Sequence, residues 1–324
     1  MIERIAVYES EGFDPHRNLA IEQHLLETVL GGCCLLYLWQ NERTVVIGKN
    51  QNAWAECRTT ELFNDGGRLA RRLSGGGAVY HDLGNLNFTF LMREEDYDLM
   101  RQLSVIRRAC RLCGIETELS GRNDVLASRR KFSGNAFYHH GGRAYHHGTL
   151  LVDVDANAMG RYLSPSKAKL ESKGVESVRS RVVNLSELNP AITVDMLKAA
   201  MRQAFAEVYD LPVSAPPVPD ETRVEELAAH YASDAWLFGQ KLPFTLRCEQ
   251  RFPWGGVELQ ICADRGVITD AKVYTDAMDD GLADKLKVAL IGCPLRKEAI
   301  RQALQDTDEQ DKRADLIELI ASVL

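Results

Sequence analysis

Apolar positions along the first half of the chain recur with two periods, one helical and one of strands. Between residues 18 and 30, Leu19, Leu26 and Leu30 fall at helical spacing, and Ile21, Leu25 and Val29 widen the stripe. Gly31 and Gly32 end this predicted helix. Residues 35–39 and 44–47 are short apolar runs rich in β-formers, parted by a polar turn at 40–43; they read as strands, as do 86–92 and 147–153. Residues 104–113 read as a basic amphipathic helix stopped by Gly114. Residues 165–181 are polar and basic with no period, which predicts a long loop of the kind that often carries function.

Further along, Thr193 opens a helix with Leu197, Ala200, Met201, Ala204, Phe205 and Val208 on one face. Four prolines make residues 211–219 a connector. Thr222 and Glu225 have the spacing of a capping box for a short helix ending near Tyr231. After about residue 243 the pattern changes. Residues 256–263 alternate, a turn follows at Asp264 to Gly266, and 267–275 form a second strand, so a hairpin is predicted. Helical stretches at 281–290, 296–305 and 313–323 complete a small α+β unit. The predicted class is α/β (α+β), divided into residues 1–243 and 244–324.

Composition narrows the function. The 324 residues carry 39 Lys and Arg against 46 Asp and Glu, a net charge of −7. That balance argues against a nucleic-acid coat, which needs basic surface, but leaves room for a local cation cluster. The eight cysteines are scattered and too few for a disulfide scaffold. Cys110 and Cys113 form a C-x-x-C on the basic helix, with no second pair nearby; buried helix-face thiols are the expectation. The start MIERIAVYES has no basic segment followed by an apolar one, and runs such as 33–39 are too short to span a bilayer. A cytoplasmic protein with reduced thiols and no membrane partner is predicted.

Candidate chemistry concentrates in a few segments. Gly75, Gly76 and Gly77 follow Arg71 and Arg72, and a run of glycines lets backbone N–H groups close around an anion. The spacing fits neither the P-loop nor G-x-G-x-x-G, and a surface loop beside a hairpin has the same composition. Asp124 offers a hard oxygen ligand for Mg²⁺. Lys131, just before Ser133 and Gly134, is either a point charge at a reacting phosphate or carboxylate or a surface lysine in a turn. The pairs His139–His140 and His146–His147 lack metal-site spacing; in a strand each pair points to opposite faces, so one histidine facing a pocket is expected. Lys173, Arg179 and Arg181 sit in the aperiodic stretch, as a lid over an anion or as a solvated loop. No G-x-S-x-G elbow occurs, and no cysteine lies in the glycine-rich or Lys131 segments.

The ordered set RRLSGGGAVYHDLGN, GRND, KFSGNAF, HHGTLLVD and YLSPSKAKLESKGVESVRSRVVNL strongly resembles the bacterial lipoate–protein ligases. NLAIEQ near residue 20, TVVIGKNQN at 44–52 and RFPWGGVEL at 251–259 extend the likeness over nearly the whole chain. The stretch between Asp124 and Lys131 is shorter than in some relatives. The resemblance implies a catalytic domain related to biotin protein ligases, with a C-terminal accessory domain. It also implies a two-step reaction: lipoate and MgATP give lipoyl-AMP, and the lipoyl group then passes to a lysine of an apo lipoyl domain or of the glycine cleavage H protein.

Carried over by position, Lys131 would meet the lipoate carboxylate and the α-phosphate as the catalytic residue, and Arg72 would face nucleotide and acyl group. Ser74, Gly75, Gly76, Gly77, Ala78, Val79 and Tyr80 match the nucleotide segment. His81, Asn85, Asp124, Ser133, Gly134 and Ala136 match positions around the adenylate, with Asp124 as the Mg²⁺ contact. His147 and Gly148 fall at the acyl carbonyl, the stretch from Lys173 to Arg181 on loops that close over lipoyl-AMP, and Leu19 and Trp39 at the lipoyl tail. Two alternatives are an ATP-independent lipoyl or octanoyl transferase working through a cysteine thioester, and a non-enzymatic adenylate-binding regulator. The acidic balance and the absence of a basic helix-turn-helix segment disfavour the regulator.

Overall fold

The structure, a computed structural model, describes residues 1–120, 124–164, 182–239, 244–305 and 310–323. Its centre is an eight-stranded mixed sheet. Strands β1 (Arg4–Glu9), β2 (Cys33–Trp39), β6 (Asn85–Arg93), β7 (Glu118–Ser120), β8 (Asp124–Ala127), β9 (Arg130–His140), β10 (Arg143–Leu151) and β11 (Val213–Ser214) run in the order β11-β1-β2-β6-β10-β9-β8-β7. β1 is parallel to β2 and β11, and the pairs from β2 to β7 are antiparallel.

β2 is apolar at every position because both of its faces are covered. Cys34, Leu36 and Leu38 join a core with helices Leu99–Leu112 and Val194–Tyr209, whereas Leu35, Tyr37 and Trp39 pack against helices Pro15–Thr28 and Glu221–Ala232. Strand parity therefore sorts one run into two cores. β6 obeys the same parity with a different chemistry. Leu86, Phe88, Phe90 and Met92 enter the first core, while the opposite face carries Asn87 to the functional cavity and Thr89 to Glu22.

Several helix starts lie upstream of the apolar periodicity. The first helix begins at Pro15, with the Asp14 carboxylate accepting from the His16 and Arg17 N–H groups. The basic helix begins at Leu99 behind Asp98, which accepts from Arg101 N–H. The cap of helix Glu221–Ala232 is Asp220, accepting from Arg223 N–H at 3.3 Å, which corrects the reading of Thr222 as its capping residue: Thr222 lies inside the first turn. Cys110 and Cys113 are buried in the first core as free thiols.

A second, three-stranded sheet joins β3 (Thr44–Ile47), β4 (Arg68–Arg71) and β5 (Val79–His81) in the order β4-β3-β5 and carries the glycine loop between β4 and β5. Beyond residue 244 a third sheet, β12 (Leu246–Phe252), β13 (Gly255–Asp264) and β14 (Val267–Thr275), packs on helices Leu282–Leu290, Lys297–Gln305 and Gln310–Ala321 around its own core. The predicted hairpin is thus two strands of a three-stranded meander. β12 escapes the sequence pattern because Leu246, Cys248 and Phe252 are its only apolar positions among charged neighbours.

Candidate active site

A cavity of about 170 Å³ lies between the two sheets of the first unit. It is lined by Leu19, Trp39 and Val46, by Arg72 and the loop from Gly76 to Val79, by His81 and Asn87, and by Lys131, residues 134–136 and residues 147–149. Met278, from the C-terminal unit, completes the wall. Val79 and His81 face the cavity, while Tyr80 between them packs away against Tyr162 at 5.6 Å.

Lys131 is the second residue of β9. The hairpin from β8 turns through Ser128 and Arg129, both at positive φ (50° and 61°), the geometry of the tightest hairpin loops. That two-residue turn accounts for the short stretch after Asp124. The register shifts so that Val125 faces Ser133 and Leu126 faces Lys131, leaving Phe132 as the extra residue of a bulge, buried in the first core. Bulges re-aim side chains. Here Lys131 folds over Gly134, where an added Cβ would lie 3.1 Å from Nζ, and its ammonium pairs with Asp124 Oδ1 at 2.7 Å. Gly148 on β10 has no room for a side chain: a Cβ would meet the Gly134 carbonyl at 2.6 Å and Phe88 at 2.7 Å.

Arg71 and Arg72, adjacent in sequence, have different duties. Arg71 donates to the carbonyls of Trp236, Leu237, Gly48, Lys49 and Gln51, a staple turned away from the cavity. The two arginines that precede the glycine run therefore do not both face the cavity. Arg72 is buried and donates to Ser74 Oγ at 3.0 Å, to the Gly75 and Gly77 carbonyls at 2.7 and 2.8 Å, and to the Val46 carbonyl at 3.2 Å. Burial lowers both guanidiniums to about 10, which leaves them charged at neutral pH. Arg72 thus shapes the glycine loop from inside.

The loop also meets the C-terminal unit. Gly76 N–H donates to the Ala277 carbonyl at 3.0 Å with Gly76 at φ +89°, and a Cβ on Gly75 would lie 2.5 Å from that same oxygen. Thr275 N–H donates to Asn50 O, and Asn50 Nδ2 to Asp280 O, both at 2.9 Å.

The paired histidines separate as strand parity requires. His146 faces the first core, between the side-chain amides of Gln102 (3.0 Å) and Asn135 (2.8 Å). His147 faces the cavity, with Nδ1 2.9 Å from Glu22 Oε1 and Nε2 2.8 Å from Ser74 Oγ. Burial, with smaller effects of Arg72 and His147, pushes His81 down to about 3, so its ring is neutral. His81 Nε2 and Asn87 Nδ2 are buried and have no protein partner, two polar atoms suited to a polar ligand.

Of the positions carried over by resemblance, Leu19, Trp39, Arg72, Gly76, Gly77, Ala78, Val79, His81, Lys131, Gly134, Ala136, His147 and Gly148 line this one cavity. Ser74, Gly75, Tyr80, Asn85, Asp124 and Ser133 lie behind its wall; Asn85 donates to Asn87, and Asp124 reaches the site through Lys131. Lys173 and Arg181 fall outside the described residues. Sequence reasoning missed Val46, Asn87, Asn135, Thr149 and Met278. The alternation of Asn87 and Thr89 inside an otherwise apolar strand was the signal for Asn87; Met278 offered none.

The glycine loop of the second sheet and Lys131 of β9 in the first thus meet at one partly apolar cavity. Residues 14–206 match the Lipoyl protein ligase A/B catalytic domain, and residues 241–321 match the Bacterial lipoate protein ligase C-terminus. The chain belongs to the lipoate–protein ligase family of enzymes. It is similar to P. falciparum LipL1, solved in complex with lipoate, at 28% identity and TM-score 0.86 over 98% of this chain and 99% of that one. It also resembles a lipoate-protein ligase A bound with ATP (26%, TM-score 0.63, 74% and 99% covered). A third likeness is to the bi-partite lipoate protein ligase of Thermoplasma acidophilum, solved in a study of that ligase and its E2 lipoyl domain (26%, TM-score 0.64, 76% and 100% covered).

Proposed function

We propose that the protein is an ATP-dependent lipoate–protein ligase acting in two steps. A lipoate carboxylate oxygen attacks the α-phosphorus of ATP, forming lipoyl-AMP and releasing pyrophosphate. The amine of a carrier lysine then attacks the acyl carbonyl, losing a proton as AMP leaves. The carriers are apo lipoyl domains of 2-oxoacid dehydrogenase complexes and the glycine cleavage H protein. The observation that carries this reading is a single cavity lined both by cations, Lys131 and Arg72, and by apolar side chains, Leu19, Trp39 and Val46. An acid with an apolar tail and a phosphate need both chemistries together.

In this reading Lys131 bridges carboxylate and α-phosphate and stabilises the charge that develops between them. The loop from Ser74 to Val79 holds the nucleotide, with Arg72 setting its shape. His81, Asn87 and His147 offer polar contacts around the adenylate, and Leu19 and Trp39 exclude water from the lipoyl tail. Among the described residues no three His, Cys, Asp or Glu side chains cluster as a metal site. The residues present fit Mg²⁺ held mainly by substrate phosphates, with Asp124 as its one protein carboxylate. Mg²⁺ bound there would offset phosphate charge. Residues 1–243 form the catalytic domain, and 244–324 an accessory domain that lends Met278 to the site. No helix among the described residues is long and apolar enough to cross a membrane, and we place the enzyme in the cytoplasm. The test is exchange of radiolabelled pyrophosphate into ATP. Exchange should require lipoate; none with lipoate, or equal exchange without it, overturns the first step.

A further inference from the structure

Glu22 lies outside the cavity, is 2% exposed, and carries no role in the reaction as read so far. Its Oε1 is nonetheless the meeting point of two hydrogen-bond chains that end on cavity side chains. In one, Trp39 Nε1–H donates to Thr89 Oγ1 at 3.1 Å, and the Thr89 hydroxyl donates to Glu22 Oε1 at 2.7 Å. In the other, Glu22 Oε1 is 2.9 Å from His147 Nδ1, His147 Nε2 is 2.8 Å from Ser74 Oγ, and Ser74 Oγ is 3.0 Å from Arg72 Nε.

The second chain has a fixed direction, because both ends are chemically one-sided. An arginine only donates, and a carboxylate only accepts. Glu22 therefore takes the proton of His147 Nδ1, the Nε2 of that neutral ring accepts the hydrogen of Ser74 Oγ, and Ser74 Oγ receives the Arg72 N–H. The order Glu–His–Ser is that of a hydrolase triad, yet Ser74 is fully buried and is not among the residues that line the cavity. The chain points at Arg72 instead, whose remaining donors hold the Gly75 and Gly77 carbonyls.

We propose that Glu22 is a positioning residue of the ligase. It selects the Nδ1–H tautomer of His147, and through Ser74 it sets the direction of Arg72 and of the glycine loop. Through Thr89 it holds Trp39. This rests on the reading of the glycine loop as the nucleotide site. A carboxamide can offer its oxygen to both donors, so Glu22→Gln keeps the direction of both chains, whereas Glu22→Ala cuts them at their hub.

The test pairs lipoate-dependent pyrophosphate exchange with the ring ¹⁵N resonances of histidine-labelled protein. In the unsubstituted enzyme His147 should be the Nδ1–H tautomer. In Glu22→Ala it should lose that signature, and the KM for ATP should rise about ten- to a hundredfold with a smaller fall in kcat. Glu22→Gln should restore both readouts to within about threefold of the unsubstituted enzyme. Ser74→Ala, a second variant should Glu22→Ala not fold, should raise the KM similarly while His147 stays Nδ1–H. A folded Glu22→Ala with unchanged tautomer or unchanged KM overturns the proposal. So does an Nε2–H or doubly protonated His147 in the unsubstituted enzyme, a Glu22→Gln as impaired as Glu22→Ala, or a Ser74→Ala with normal KM. If the unsubstituted enzyme lacks exchange altogether, the nucleotide reading has failed, and the resonances still report on Glu22.

Discussion

Lys131 Nζ lies 2.7 Å from Asp124 Oδ1, so the lysine of the cavity is steered by a carboxylate on the neighbouring strand. Both side chains are about one-third exposed, at 38% and 34%, and a pair this wet contributes under about 1 kcal/mol to stability. Lys131→Ala should therefore melt within a few degrees of the unsubstituted protein, while lipoate-dependent pyrophosphate exchange falls at least about a hundredfold. Near-normal exchange in that variant would remove Lys131 from the reaction.

The contact between the glycine loop and the C-terminal unit gives a second expectation. A Cβ at position 75 would lie 2.5 Å from the Ala277 carbonyl and 2.8 Å from that of Met278. Backbone must move to admit it. In Gly75→Ala the Gly76 amide should exchange its hydrogen at least about tenfold faster, because its bond to Ala277 is lost, and pyrophosphate exchange should fall with it. Unchanged protection of the Gly76 amide would show that the two units do not meet in this way.

Acid should destabilise the fold through two buried imidazoles. Burial pushes His81 and His146 down to about 3, against an ordinary value of 6.5. Between those values the unfolded chain takes up a proton at each ring and the native chain does not. The stability is complete above pH 6.5 and declines as pH falls toward 3. From pH 7 to 5 the loss is roughly 2 kcal/mol per histidine. Urea unfolding at the two pH values measures it, and a flat result would mean that these rings are charged in the native state.

How much of this was legible in the sequence depends on how local each cause is. The central helices follow from apolar periodicity and strands β2, β3 and β6 from short apolar runs, because each buries its own side chains. Lys131 was singled out by its motif, yet nothing local separates a turn lysine from one re-aimed by a bulge, since the bulge depends on pairing with β8. Arg71 and Arg72 look equivalent as a pair of charges; only the placement of Trp236 and Leu237, far along the chain, shows that Arg71 is a staple. Glu22 reads as one polar position on a helix until the fold brings His147 to it.

The cysteines offer a test of the thioester alternative. All eight are free thiols, seven are buried, and none lines the cavity. Burial pushes Cys57 up to about 12 and Cys248 up to about 11, and it raises Cys34 and Cys110 as well. Iodoacetamide at neutral pH should therefore leave lipoyl transfer unchanged. Inactivation prevented by lipoate would point to a catalytic thiol.

The most direct test of the central claim is a mass spectrum of an apo lipoyl domain after incubation with the enzyme, lipoate and MgATP. The account predicts one lipoyl group on a single lysine of the carrier, with one AMP and one pyrophosphate formed per group and no modification when ATP is omitted. A carrier that stays unmodified with both substrates present, or one that is acylated without ATP, would contradict it.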